Sequence, residues 1–323
     1  MFFVRLVFVI SNVHKRQKMI FQDTETGIPK NNEVAYLERI QALEQMLQMT
    51  TKYLGTIETE MRKKNELLEA CNHKFNESLA MSSLLQQAIM PSECTFKMKF
   101  AQSFVFFRPK DVIGGDTLWM REREGYLYLA CIDCTGHGVP GAMLTMAAHF
   151  CLNASFENTP SDNPAVLLKR FNTQFYNHFH LSNVEEGGLS HGLDIGLIII
   201  NPHRNEVRYA GTRQNLVVTN RKSAKMYKGN AGYIGNKILH LDLSHRIKVV
   251  KGDKFFMFTD GIYDQFGGQK NKKILSSRIL KVLEHTHSAS MEHQKEFLET
   301  ILTTWQGNED QTDDILIVGF SFE

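Results

Sequence analysis

Glycine divides this chain. Only Gly27 and Gly55 fall within residues 1–90, and all the other glycines of the 22 lie beyond. Proline is equally scarce there: Pro29 is followed by none until Pro91. A glycine in a helix costs about 1 kcal/mol relative to alanine, and a proline about 3 kcal/mol. A run from Glu33 to Ile89 with a single breaker therefore has one regular form open to it, a long helix. A 3–4 spacing runs through Ile40, Leu43, Leu47, Thr50, Leu54, Ile57, Met61, Lys64, Leu68, Cys71, Phe75, Ser78, Ser82, Leu85 and Ile89. Most of these positions are apolar, which is the pattern of a coiled-coil seam. At about 1.5 Å per residue the seam is roughly 75 Å long. A helix of that length cannot bury its stripe on one small domain, so residues 33–90 are expected to form a homodimer. A hairpin folding back near Gly55 is the alternative. Met90-Pro91 ends the helix, because proline disfavours helical geometry in the residue before it.

The ends and the cysteines exclude other classes. Met1–Ile10 is apolar apart from Arg5, too short for a spanning helix of about 20 residues, and lacks the layout of a signal peptide. It is read as an N-terminal apolar segment, followed by a loop to residue 32. The five cysteines are odd in number, which argues against a secreted disulfide framework. Cys131-x-x-Cys134 has no second pair to complete a zinc site and reads as core. A cytoplasmic protein is expected, with weak membrane association through residues 1–10 as an alternative. Lys and Arg total 37 against 35 Asp and Glu, a net +2. That balance excludes a strongly basic nucleic-acid groove.

Beyond residue 91 the texture changes. Apolar β-rich runs occur at 98–107, 126–132, 194–200, 206–210, 215–219, 254–259 and 315–320, with helical stretches near 140–156, 164–180, 272–286 and 290–305. Strands outnumber helices and the helices come in pairs, which predicts an α+β sandwich. Four Asp-bearing segments stand at the edges of apolar runs: Gly114-Gly115-Asp116, Asp133-Cys134-Thr135-Gly136-His137-Gly138, Thr259-Asp260-Gly261 and Thr312-Asp313-Asp314. Aspartates that end buried strands are costly unless neutralised. Hard divalent cations resolve that cost, because they prefer carboxylate, carbonyl and water oxygens. Spacing alone leaves metal hydrolase and cyclase both open. His137, Asp194, the His285/His287/His293 group and the Lys270/Lys272/Lys273 patch read as loop, capping or solvated residues, and Met143 and Met146 as helix core.

Taken in order, Arg108-Pro109-Lys110-Asp111-Val112-Ile113-Gly114-Gly115-Asp116, Asp133-Cys134-Thr135-Gly136-His137-Gly138-Val139-Pro140-Gly141-Ala142, Thr259-Asp260-Gly261 and Asp313-Asp314 resemble the motifs of PPM (protein phosphatase 2C-like) phosphatases. The resemblance is to the bacterial branch of sporulation stage II and sigma-factor-regulator phosphatases. With Gly192-Leu193-Asp194-Ile195-Gly196-Leu197 and Tyr209-Ala210-Gly211, the chain looks most like the SiaA-type enzymes. It implies a four-layer αββα sandwich over residues 91–323. It also implies two Mn²⁺ or Mg²⁺ ions and hydrolysis of phosphoserine or phosphothreonine by a water that both ions activate. Asp133 would bridge the ions, with the Cys134 carbonyl joining one shell. Asp260 and Asp313 would bind the other ion, with Asp314 the alternative to Asp313. Asp116 would act directly or through water. The implied substrate is a regulatory protein like an anti-sigma-factor antagonist, and no nucleotide cofactor is implied. Leu316 and Thr117-Leu118-Trp119 depart from the branch's usual residues without removing a ligand. Arg108 is the nearest candidate for a phosphate-binding arginine, a role this branch commonly lacks. A non-catalytic member that binds its partner, and a coiled-coil adaptor with an incidental sandwich, are the rival readings.

Overall fold

The computed structural model describes residues 30–100, 102–158, 161–179, 192–201, 203, 205–221 and 223–322. The expectation for Met1–Ile10 lies outside them. The chain divides into two compact units, Met1–Lys74 and Phe75–Glu323. Helix α1 spans Lys30–Ile89, beginning at Lys30 rather than Glu33. In the first unit Leu43, Leu47, Leu54, Met61 and Leu68 of the expected seam are all exposed. Beyond Phe75 the buried face is shifted from the expected one. Phe75, Ser78 and Leu85 of the seam are exposed and Ser82 and Ile89 half-buried, while outside the seam Gln86 is buried and Leu79, Ser83 and Met90 are half-buried. The helix there packs through 79–82/83–86–90, a stripe that a polar Gln86 hid from an apolar count. Among the described residues no helix is long and apolar enough to cross a membrane.

Helix α2 (Glu93–Lys99) starts at Ser92, whose hydroxyl accepts from Thr95 N. It takes the first residues of the run expected to be a strand, so β1 covers only Gln102–Arg108. The chain continues through β2 (Asp116–Arg123), β3 (Tyr126–Cys134), α3 (Gly138–Glu157), α4 (Pro164–Phe179), β4 (Leu193–Asn201), β5 (Glu206–Thr212), β6 (Asn215–Thr219), β7 (Ala224–Lys228) and β8 (His245–Lys248). It ends with β9 (Lys254–Phe258), the short α5 (Gly261–Asp264), the β10–β11 hairpin (Phe266–Gly267 and Lys272–Lys273), α6 (Ser276–His285), α7 (Met291–Gln306) and β12 (Ile315–Ser321).

Two antiparallel five-stranded sheets result, ordered β1-β12-β9-β6-β7 and β2-β3-β4-β5-β8. The central strands β3, β4, β9 and β12 are apolar on both faces, because each sheet is covered on both, while the edge strands β7 and β8 reach solvent. Leu127, Leu129 and Cys131 of β3 point between the sheets, meeting Phe255 and Met257 of β9 and Leu316, Val318 and Phe320 of β12. The alternate β3 residues Tyr128, Ala130, Ile132 and Cys134 pack under α3 and α4. Phe256, Phe258, Ile315 and Ile317 pack under α6 and α7. The four layers are therefore helix, sheet, sheet and helix, as expected. Burying each large aliphatic side chain contributes about 1.5–3 kcal/mol. The two cysteines of the C-x-x-C belong to different cores, Cys131 between the sheets and Cys134 beneath the helices.

His149 of α3 is buried, and its Nε2 lies 2.9 Å from Thr117 Oγ1. Burial, reinforced by Arg121, lowers its pKa from 6.5 to about 4. Its neutral form is the folded one, so it contributes its full stability above pH 6.5 and loses it as pH falls toward 4. At about 1.4 kcal/mol per unit, the loss is of order 3 kcal/mol. Chemical denaturation between pH 7 and pH 4 should show wild type losing stability relative to His149→Gln by that order. A pH-independent difference would refute this assignment.

Candidate metal centre

Strand parity brings the aspartates together. In β2, Leu118 and Met120 face the inter-sheet core, so Asp116 lies on that face too. In β3 the same parity carries Asp133, and in β4 it carries Asp194. The ladder aligns these three side by side: Asp116 pairs with Asp133, and Asp133 with Asp194. In the other sheet, antiparallel β9 and β12 put the end of one beside the start of the other. Asp260 follows β9, and Asp313 and Asp314 precede β12. Carboxylates far apart in sequence thus meet at one end of the inter-sheet cleft.

The contacts tie the two sheets together there. Thr259 Oγ1 donates to Asp116 Oδ2 at 2.6 Å and accepts from Leu316 N at 2.9 Å. Asp314 Oδ1 accepts from Lys110 N at 2.7 Å, and its Oδ2 accepts from Gly115 N at 2.6 Å. Both of its oxygens are thereby committed to backbone donors. Asp313 Oδ1 accepts only from the neighbouring Asp314 N, at 2.8 Å. A Cβ on Gly115 would lie 2.5 Å from Gly136 O and 2.6 Å from Cys134 O, so no other residue fits between β2 and the motif loop. A Cβ on Gly261 would strike Asp314 O at 1.9 Å, which explains the glycine after Asp260.

These groups resist ionisation. Burial pushes Asp116 well up; Thr259 opposes this, and Asp314, Asp313 and Asp260 add to it. Asp133 is pushed well up by burial and by Asp116, Asp260, Asp194 and Asp313. Asp260 is raised by burial, Asp313 and Asp264, while a hydrogen bond with Asp133 and the charge of Lys273 pull it back. Burial also raises Asp314, against the two backbone donors. Mutual repulsion of this kind is relieved by protons or by cations. The donor set consists of oxygens, carboxylates beside the Cys134 carbonyl, and such oxygens suit Mg²⁺ or Mn²⁺. Among the described residues no three His, Cys, Asp or Glu side chains already close around one point as a metal-holding group. The donors fit hard cations in chemistry and charge.

The model of the family described as stage II sporulation protein E (SpoIIE) matches residues 123–323. The chain belongs to the SpoIIE family. Solved structures agree on the fold of this SpoIIE-family chain. The PP2C domain of SiaA from Pseudomonas aeruginosa matches at 29% identity and TM-score 0.72, over 79% of this chain and 99% of that one. The phosphatase domain of SpoIIE from Bacillus subtilis matches at 14% identity and TM-score 0.54, over 68% and 62%. RsbX in complex with magnesium matches at 18% identity and TM-score 0.50, over 68% and 95%. No curated protein matches the chain by sequence.

Several residues of this SpoIIE-type sandwich carry more than their sequence reading. Asp194 is more than a strand cap: it lies opposite Asp133, burial pushes its pKa to about 6, and Arg213 Nε donates to it at 2.9 Å. His137 is held by Asp111 at 2.6 Å and sits 3.2 Å from Lys110 Nζ, a loop contact as expected. His287 is not merely solvated, since its Nδ1 lies 3.0 Å from Thr219 Oγ1. His285 and His293 bond within their own helix segments. Arg108 donates to Gln306 Oε1, away from the cluster, rather than standing free for phosphate.

Gln86 gave no sequence signal. Its Nε2 donates to Gly114 O at 2.6 Å, and its Oε1 accepts from Gly114 N at 3.2 Å. A second contact reaches Thr145 Oγ1 at 3.3 Å. The last turns of α1 thereby hold the backbone that precedes Gly115 and Asp116. Gln86→Leu leaves Gly114 N and O buried without partners, at about 1–3 kcal/mol each. It should lower the melting temperature and weaken Mn²⁺ binding measured by calorimetry. Unchanged Mn²⁺ affinity would show that the clasp is purely structural.

Proposed function

We propose that this chain is a divalent-cation-dependent protein phosphatase acting on phosphoserine or phosphothreonine of a regulatory partner protein similar to an anti-sigma-factor antagonist. The observation that carries the reading is the convergence of Asp116, Asp133, Asp260 and Asp313 at one cleft end, where Asp116 is buried and the charges of its neighbours help hold Asp116, Asp133 and Asp260 above the usual carboxylate range. Two divalent cations, Mn²⁺ or Mg²⁺, would offset that charge and supply Lewis-acid activation of water and of the phosphoryl oxygens.

The chain's own residues hold and orient. Asp133 is flanked by Asp116 and Asp194 in its sheet and shares a hydrogen bond with Asp260, so it is the carboxylate that would bridge. Thr259 holds Asp116 through Oδ2. Asp314 is spent on Lys110 N and Gly115 N, which favours Asp313 as the ligand. Gly115 lets the Cys134 carbonyl approach closely. In this reading 91–323 is the catalytic domain and 33–90 a dimerising helix. The exposed Leu43, Leu47, Leu54, Met61 and Leu68 support a partner helix there. Gln86 gives that helix a route to the Gly114–Asp116 segment.

Asp133→Asn should cut phosphate release from a phosphoserine protein, and from p-nitrophenyl phosphate with Mn²⁺, by at least about 100-fold. It should also raise the melting temperature of the metal-free protein, because a repelled buried carboxylate is removed. The stabilisation that Mn²⁺ confers should shrink. Near-normal turnover in this variant would sink the reading. Leu54→Asp with Met61→Asp should convert a dimer to a monomer in sedimentation velocity, and an unchanged mass would dismiss the coiled coil.

A further inference from the structure

The outer face of the sandwich carries a groove of about 1010 Å³ between α6, α7 and the β10–β11 hairpin. Its walls are the flanks of two helices whose other sides are spent on the core. Ile279 and Leu283 of α6 and Leu298 and Leu302 of α7 are buried. The flanks left over present Arg278 and Lys281 from α6, and Phe297 and Trp305 from α7. The hairpin adds Lys272 and Lys273. Among the described residues no aspartate or glutamate lines the groove. Leu275 at its mouth is 70% exposed and Phe297 is 48% exposed. Arg278 stacks 4.3 Å over the Trp305 ring, which keeps its charge at the apolar floor.

Apolar floor and basic rim together select an occupant that is apolar and acidic. A second copy of the chain would bring the same basic groove against this one, like charge on like. The chain's own Met1–Ile10 has no carboxylate to answer the rim. The groove also adjoins the carboxylate cluster through continuous chain: Asp260 leads into α5, α5 into the hairpin, and Lys273 Nζ bonds Asp264 Oδ1 at 2.8 Å. A partner seated here lies beside the segment that carries Asp260.

We propose that this groove docks an acidic segment with leucine or phenylalanine side chains on the phosphoprotein that the carboxylate cluster dephosphorylates. The proposal rests on the phosphatase reading and adds where the substrate is recognised. Apolar side chains enter between Phe297 and Trp305 while carboxylates meet Lys272 and Lys281. Recognition away from the reacting phosphate lets one reaction centre distinguish between phosphoproteins.

The test uses the full chain and two labelled peptides, one of alternating Glu or Asp with Leu or Phe, the other with Gln and Asn replacing the acids. Fluorescence anisotropy should show the acidic peptide binding at least tenfold tighter, with affinity falling as salt rises. Lys272→Glu with Lys281→Glu, and separately Leu275→Ser, should remove most of that advantage. With Mn²⁺ and a phosphoserine added to each peptide, the acidic one should have a KM at least fivefold lower. The groove variants should lose that difference and keep p-nitrophenyl phosphate turnover within twofold. Equal binding of both peptides, or full binding by the variants, overturns the groove. So does a dimer that the Leu275→Ser variant alone dissociates, since the occupant would then be a second copy. Peptide binding without any phosphate turnover supports the docking surface and overturns the phosphatase reading instead.

Discussion

Like charges held together by strand pairing are the constraint on which the rest of this fold depends. The ladder from β2 through β3 to β4 puts Asp116, Asp133 and Asp194 in one row, and β9 and β12 bring Asp260, Asp313 and Asp314 from the facing sheet. Each carboxylate makes its neighbours harder to ionise. No sheet would adopt this arrangement for its own stability. The two inter-sheet and sheet–helix cores hold it, and the local devices are small and specific. Thr259 spans the sheets to Asp116, Asp314 fastens the Gly115 backbone, and Gly115 and Gly261 admit contacts that no side chain would permit. The fold supports the cluster at a cost in stability, as functional sites commonly do.

The sequence made much of this legible, for reasons that differ by element. Apolar runs located β3, β4, β6, β9 and β12, because those strands are largely buried, and alternation of Glu206 and Arg208 with Val207 and Tyr209 located β5. The helical stretches located α3, α4, α6 and α7 but not every face: Met143 and Met146, expected in the core, are exposed on α3. Strand β2 was missed because its second half, Arg121, Glu122 and Arg123, reaches solvent and breaks the run. The run at 98–107 was taken whole as strand, yet Ser92 caps a helix that consumes its start. The aspartates were legible as motif residues, and the strand register that aligns them was not. Asp194 looked like a strand cap because only the β3–β4 pairing sets it opposite Asp133. Gln86 and Thr259 were silent for a different reason. Each works through hydrogen bonds made across long stretches of chain, and no local pattern marks such a partner.

The long helix illustrates the same limit. Its seam was read as one stripe from Ile40 to Ile89, but the chain uses two. Up to Lys74 most of the apolar positions, Leu43, Leu47, Leu54, Met61 and Leu68 among them, are exposed. From Leu79 onward the buried stripe passes through Gln86, which serves the backbone before Asp116. A polar residue at the centre of a packed stripe is costly unless both its donor and its acceptor are met. Here one residue, Gly114, meets both. That reciprocity explains why a glutamine is buried beside the seam position Leu85, which is exposed.

At the end of the helix a few atoms tie it to the carboxylate cluster. The Gln86 side chain grips Gly114 through both its donor and its acceptor. From Gly114 the linkage continues to Gly115, and from there to Asp314 through Gly115 N and to Asp116 through the chain. Asp116 and Asp314 belong to a cluster whose charges repel, so the position of this backbone sets how closely those charges stand. A well-packed apolar junction at position 86 would bind the helix as firmly. Only a hydrogen-bonding side chain also holds the two peptide planes that flank Gly114, one through its N–H and one through its carbonyl, and those planes set where the next two residues aim.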